Sequence, residues 1–425
     1  MWNMSVHKGR KGSYIFRLAG LAASFALVPA LGMTGGSLAD AAGARSHATP
    51  RSAGTERALH FGYLGPPSAV NKIGLFAVSA PPRSTQAWAV GDDAPFMACG
   101  DGYVLHYNGR SWSDVRAGLA ANVGLSGVAA VSTKKIWIIG SAGKCTALKP
   151  YLAYSSGGVF RAWNLAWLGS ADLNAISAAS PKDIWVVGSV QIRHTVRPLA
   201  LNWNGRSWRR MPTPPASGGL TFNSVSVSGP GNVWLLAHSS GGSTSEAIHW
   251  NGKHWSATYT FPSSIYLSDV ATSSRTQAWL VGYVVNGPSG TFSAHWNGAK
   301  WTTVATPTLS VLLNAITMSG ARTWAVGEIF ANSTSSETLP EVLYSTGGRW
   351  KKEAAPDAGV SPSNQSAFFG VSAASSQFVV AVGQNGIMCS NGPGFADVYR
   401  SGTWHATSAL VGLRAGLPRV PDCGG

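Results

Sequence analysis

The chain has 425 residues and a formal net charge of +15, yet only 12% of its residues are charged. Glu and Lys are scarce, while Gly (51) and Trp (18) are abundant, which argues against long helices and for short strands joined by many turns. Length alone suggests two or three domains, so internal repetition has to be sought first, because repeat architectures break that expectation.

In chain order, the first segment reads as a targeting signal. Lys8, Arg10, Lys11 and Arg17 form a basic region, Leu18 to Met33 an apolar and small-residue stretch, and Ala39-Asp40-Ala41 and Ala42-Gly43-Ala44 two small-residue cleavage patterns. The apolar stretch of 16 residues is shorter than the ~20 a spanning helix needs. Residues 1–44 are read as a signal peptide, with retention as an anchor the alternative. Residues 45–57 are read as a flexible linker and 58–425 as the folded domain with a tail at 413–425. Arg10-Lys11 is no twin-arginine pair and no Cys lies at the cleavage region, so general secretion to the outside or cell surface is expected. No second long apolar segment follows, so no membrane span is expected in the mature chain. Cleavage after Ala44 removes four basic residues and one acidic residue, leaving +12 of the +15. Such a charge favours anionic partners, wall polymers or acidic polysaccharides among them, although the cations are scattered. Nucleic acid is set aside because secretion separates the protein from it.

The strongest signal is a repeat. Trp88-Ala89-Val90-Gly91 returns at Trp137-Ile138-Ile139-Gly140, Trp185-Val186-Val187-Gly188, Trp234-Leu235-Leu236-Ala237, Trp279-Leu280-Val281-Gly282 and Trp324-Ala325-Val326-Gly327, with a degenerate seventh copy at Val380-Ala381-Val382-Gly383. An apolar strand ending in Ser or Thr precedes most copies. A second pattern, aromatic-Asn-Gly-x-x-Trp, follows each anchor. It is complete at Trp203 to Trp208, Trp250 to Trp255 and Trp296 to Trp301, close at Tyr107 to Trp112, and looser at Tyr154 to Trp163, Tyr344 to Trp350 and Tyr399 to Trp404. Sixteen of the 18 Trp residues fall in these two patterns.

One unit shows why. Leu173 to Ser177 is a short first strand, and Pro181-Lys182-Asp183 a turn. Ile184 to Val187 is an unbroken apolar run, as a strand covered on both faces requires. Ala200 to Trp203 is a third strand, Asn204-Gly205 a type I′ hairpin signal, and Ser207 to Arg210 a more polar outer strand. Four antiparallel strands in about 45–50 residues is the period of a propeller blade. The fold class is therefore all-β, a seven-bladed β-propeller of four-stranded antiparallel blades after an N-terminal signal segment. The blades are placed at about 73–120, 124–170, 172–217, 220–263, 266–310, 312–360 and 367–412, with His60 to Tyr63 a candidate closing strand.

These motifs resemble those of secreted bacterial propeller-repeat proteins loosely grouped with kelch and galactose-oxidase-type propellers, over residues 73 to about 412. The resemblance implies the architecture and no particular activity. The chain lacks the Gly-His…Trp-Asp pair of WD40 blades, the Ser-x-Asp-x-Gly-x-x-Trp box of sialidases and the paired-Gly pattern of kelch blades.

The connections between second and third strands vary in length and share one face with the blade-to-blade connections, and binding residues sit on such variable loops. At the rim of that face the repeat places one residue after each anchor: Asp92, Ser141, Ser189, His238, Tyr283, Glu328 and Gln384. All are polar and chemically diverse, which makes them the candidate ligand-binding ring. Arg193, His194 and Arg197 form a candidate anion-binding loop in blade three. Asp92 and Glu328 as paired carboxylates, or His238 and Tyr283 as base and acid, leave open a carbohydrate-active hydrolase or lyase, but no second signature supports either. No nucleophile elbow, phosphate loop or metal-ligand spacing occurs, so no catalytic residue, cofactor or metal is assigned. Asp92, Asp93 and Asp101 lack the spacing of a calcium loop. Four Cys in an exported chain suggest disulfides Cys99–Cys145 and Cys389–Cys423, with Cys99–Cys389 as the rival. The expectation is a monomeric, non-catalytic extracellular module that binds a glycan or anionic polymer; a structural surface protein with a protein partner is a further alternative.

Overall fold

The computed structural model describes residues 74–93, 100–143, 147–214, 219–239, 244–285, 290–307, 311–330, 338–355, 366–385 and 394–407. The signal segment, the candidate closing strand and all four cysteines lie outside the described residues.

Seven four-stranded antiparallel sheets make up the described residues, each built from consecutive strands of one stretch of chain. The blades occupy 74–114, 123–162, 171–210, 220–261, 265–303, 311–353 and 366–407. In blade three the strands are Ala171–Ser180, Asp183–Ile192, Thr195–Trp203 and Trp208–Arg210. The apolar run Ile184 to Val187 is fully buried in the second of them, as a strand flanked by two blades must be. The core is accordingly seven separate layers. A large hydrophobic cluster fills each boundary between neighbouring blades, and the one around Leu75, Leu105, Trp112, Phe378 and Val398 joins blade seven to blade one, where Ala367 and Phe369 add a smaller cluster. Trp185, Trp234 and Trp324 are among the largest fully buried side chains. Each belongs to the layer shared with the following blade.

A β-bulge near the start of every inner strand explains the anchor glycine. In blade three the ladder skips between Leu173 and Ala175, and the Asp172 carbonyl oxygen then lies 1.8 Å from where a Cβ on Gly188 would sit. Blade four carries Ala237 there, paired with Phe222.

The Ser or Thr that ends the inner-strand motif is an inter-blade latch. Ser79 Oγ accepts from the Ala130 amide (2.9 Å), Ser177 from Val227 (3.2 Å), Ser226 from Thr272 (3.0 Å), Thr317 from Ala373 (3.3 Å) and Ser372 from Ala80 (3.0 Å). Blades two and five have Ala129 and Ala271 at this position. The Ser372–Ala80 bond crosses the seam between the last blade and the first. Arg83 N to Ala374 O (3.1 Å) and Trp112 Nε1 to Thr407 Oγ1 (2.9 Å) cross it too. Among the described residues no blade is completed by a strand from the other end of the chain.

The Asn-Gly turns differ from the expected type I′. Only the glycines, such as Gly205 at φ 93°, take positive φ. The preceding Asn204 instead folds its side chain over the turn, and its Oδ1 accepts from Arg206 N (2.9 Å) and Ser207 N (3.0 Å). An Asn oxygen thus does the work of a backbone carbonyl, and the same arrangement recurs at Asn108, Asn251 and Asn297.

Candidate functional site

Antiparallel order places the starts of the inner strands and the ends of the second strands on one face, around the axis. Each ring residue pairs with the first turn of its own inner strand: Asp92 with Gly74, Ser141 with Gly124, Ser189 with Asp172, His238 with Thr221, Tyr283 with Tyr266, Glu328 with Leu312 and Gln384 with Ala367.

The ring is more withdrawn than a rim of strand ends suggests. Asp92, Ser189, His238, Tyr283 and Gln384 are buried, and only Ser141 and Glu328 are partly open. Strand parity turns the residue after the anchor glycine toward the next blade, and a glycine there leaves Asp92 and Gln384 room to sink in. Asp92 Oδ2 lies 3.3 Å from the Cβ position of Gly124 in blade two, and Gln384 Oε1 lies 2.7 Å from that of Gly74 in blade one. His238 stacks on Tyr266 of blade five at 4.3 Å and 10°, and Tyr266 stacks on Tyr283 at 5.1 Å and 25°. Burial draws the His238 imidazole down to about 4 and pushes the Tyr266 phenol up to about 12, so both are neutral at pH 7. Desolvation pushes the Glu328 carboxyl up to about 7 against the opposing hydrogen bond of Thr338. This arrangement packs most of the ring between blades instead of presenting it together to solvent.

The cationic loop is different. Thr195 pairs with Ile192, leaving Arg193 and His194 as a two-residue hairpin turn, with φ of 45° and 66°. Two consecutive positive φ values mark a type I′ turn, here without the usual Asn or Gly. Arg193, His194 and Arg197 are exposed, and Ile192 at the hairpin tip is 42% exposed. The connection from blade two holds the 3-10 turn Ala166–Leu168, with Trp167 51% exposed, and its Ser170 O accepts from Gln191 N at 2.9 Å. Trp167 was not singled out from the motifs, although a signal existed: with Trp2 it is one of two Trp residues outside both repeat patterns.

Asp93 and Asp101 are used by nearby backbone amides. Asp93 Oδ1 accepts from Asp101 N (2.7 Å) and Asp101 Oδ1 from Asn122 N (3.2 Å). An open cleft of about 540 Å³ lies on the opposite face, between the first-to-second turns of blades one and two, lined by Pro81, Arg83, Gln86, Val131 and Ser132. Among the described residues no helix is long and apolar enough to cross a membrane.

No protein-family profile and no curated protein matches the chain by sequence. Solved structures do match by shape. The chain is similar to YCF48 bound to D1 peptide, with 17% identity and a TM-score of 0.50 over 74% of this chain and 92% of that one. It is similar to the GH74 xyloglucanase from Xanthomonas campestris, with 12% identity and a TM-score of 0.51 over 79% of this chain and 55% of that one. It is also similar to the β-propeller domain of the Trilobed protease from Pyrococcus furiosus, which has an open velcro topology, with 7% identity and a TM-score of 0.51 over 81% of this chain and 99% of that one. At such identities the likeness is one of fold, and the fold is a seven-bladed β-propeller.

Proposed function

We propose that this propeller is a non-catalytic binding module that acts outside the cytoplasm and holds an anionic polymer on its variable face. The observation that carries the reading is the blade-three hairpin. It leaves Arg193, His194 and Arg197 exposed together with Ile192, and Gln191 N to Ser170 O ties its base to the segment that carries the exposed Trp167. Arg forks grip carboxylates or phosphates, and an adjacent apolar surface covers the backbone between charges. The +15 formal charge supports attraction from a distance. The basic and apolar N-terminal segment supports export.

The test is binding of the purified chain to polygalacturonate, and to a neutral dextran, at low and high salt. Salt-sensitive binding to the anionic polymer is expected, weakened about tenfold by Arg193→Ala with Arg197→Ala. Equal binding by the double variant, or no preference for the anion, would overturn the assignment.

A further inference from the structure

The first-to-second connection of blade one begins with the turn Pro81-Pro82-Arg83-Ser84, closed by Ser84 N to Pro81 O at 3.2 Å. Arg83 holds φ at 60° in its third position, where a positive φ favours glycine. The turn is pinned there, because Arg83 N donates to Ala374 O of blade seven at 3.1 Å. An arginine at a glycine position costs stability, and such strain collects where the side chain has a use. Arg83 is exposed and lines the open cleft of about 540 Å³ between blades one and two. Among the described residues no carboxylate pairs with its guanidinium, and none lines the cleft.

The other polar side chains of the cleft have spent their acceptors and kept their donors. Ser132 Oγ, on the blade-two side, accepts from Lys134 N (3.3 Å) and Lys135 N (3.1 Å), so both its lone pairs are taken and its hydrogen is left to donate. Gln86 Oε1, on the blade-one side, accepts from His106 Nε2 at 2.9 Å, which leaves the Gln86 NH2 group. Ser84 Oγ accepts from Gln86 N at 2.9 Å. Lys134 and Lys135 follow directly on the lining residue Thr133 and are exposed. Donors from two blades beside an unpaired cation suit a group with negative charge and several acceptor oxygens. A carboxylate has its two oxygens in one plane, whereas a tetrahedral ester head has three to share between the Arg83 fork and the Ser132 hydroxyl across the cleft. We propose that this cleft takes the oxyanion head of a phosphate or sulfate monoester, gripped by Arg83, Gln86 and Ser132. It lies on the face opposite the cationic hairpin, shares no residue with it and does not depend on it.

The test is calorimetry on the full chain at low salt with methyl phosphate, methyl sulfate and acetate. A monoester is expected to bind with a roughly millimolar Kd, and acetate at least about tenfold more weakly. Methyl phosphate tighter than methyl sulfate at about pH 8, where the phosphate carries close to two charges, assigns the phosphate ester; the reverse order assigns the sulfate ester. Arg83→Gly removes the guanidinium and suits the positive φ, so it should melt no lower than the parent while weakening the ester about tenfold or more. Gln86→Glu, which keeps an acceptor for His106 and sets a carboxylate in the cleft, should weaken it as much, and Ser132→Ala less. A melting curve on each variant checks folding. Arg193→Ala with Arg197→Ala should leave the affinity unchanged, so that failure here and failure of polymer binding are read separately. The proposal is overturned if neither ester binds, if acetate binds as tightly as they do, or if binding survives in folded Arg83→Gly.

Discussion

Asp269 Oδ2 accepts a hydrogen bond from the backbone amide of Ile316 at 2.9 Å, across the boundary between blades five and six. Its other oxygen accepts from Ser224 Oγ of blade four at 2.6 Å and from Val270 N at 2.9 Å, so one carboxylate ties three blades together. Replacing it with Ala should cost about 2–4 kcal/mol, because a buried donor on each side loses its acceptor. Asn should cost less, about 1 kcal/mol, since one oxygen survives. Urea unfolding of the two variants checks the order. An Asn variant less stable than the Ala variant would refute the three-blade clamp.

The anchor glycine gives a second prediction. Gly188→Ala pushes a methyl into the Asp172 carbonyl, 1.8 Å from the Cβ position. A loss of about 2–4 kcal/mol is expected from overpacking against backbone. Ala237→Gly in blade four, where the ladder already carries a Cβ, should cost no more than about 1 kcal/mol.

Asp397 gives a pH prediction. It is 0% exposed, both its oxygens lack a partner, and burial raises its carboxyl well above the usual range. The equivalent third-strand positions hold Leu105, Ala153, Leu201, Ile248, Ala294 and Leu343. An acid whose folded pKa is raised binds more protons when folded, so its contribution to stability falls as pH rises above the unfolded value near 4. Asp269, pushed up to about 6, and Glu328, at about 7, act in the same sense. His238, drawn down to about 4, acts oppositely between about 4 and 6.5. Asp397→Leu isolates one group. Its stabilisation over the parent should be small at pH 4 and grow to about 1–3 kcal/mol toward pH 8. Melting temperatures across that range decide; a difference independent of pH would show that Asp397 does not titrate in this way.

The hairpin turn gives a fourth. Arg193 and His194 hold positive φ without Asn or Gly. Arg193→Asn with His194→Gly should therefore raise stability by about 1–2 kcal/mol while weakening anionic binding. Stability that falls in this variant would mean that the side chains hold the turn.

The blade count and strand order were legible because the same physical demand recurs seven times, leaving the Trp and the glycine in register at Trp185 and Gly188 as at Trp279 and Gly282. The Ser ending the inner strand was visible as a pattern, but its role as a latch was not, because the partner amide lies one blade away. The positions of Asp92 and Gln384 on the variable face follow from strand parity. Their burial does not, since it depends on Gly124 and Gly74 opposite them. Arg193-His194 gave no turn signal for want of Gly or Asn, and Asn204-Gly205 gave one that pointed to the wrong turn, because the Asn side chain, not its backbone, closes it.

The seam between blades seven and one is held by means that recur at other boundaries: a shared apolar layer, a hydroxyl on a neighbouring amide, and an indole reaching across. No sheet is divided between distant parts of the described chain. Duplication or loss of a stretch of about fifty codons would therefore add or remove a complete blade without orphaning half of another. Ring size in such a protein is open to change by whole units, and a permuted chain starting at any blade boundary should close the same ring.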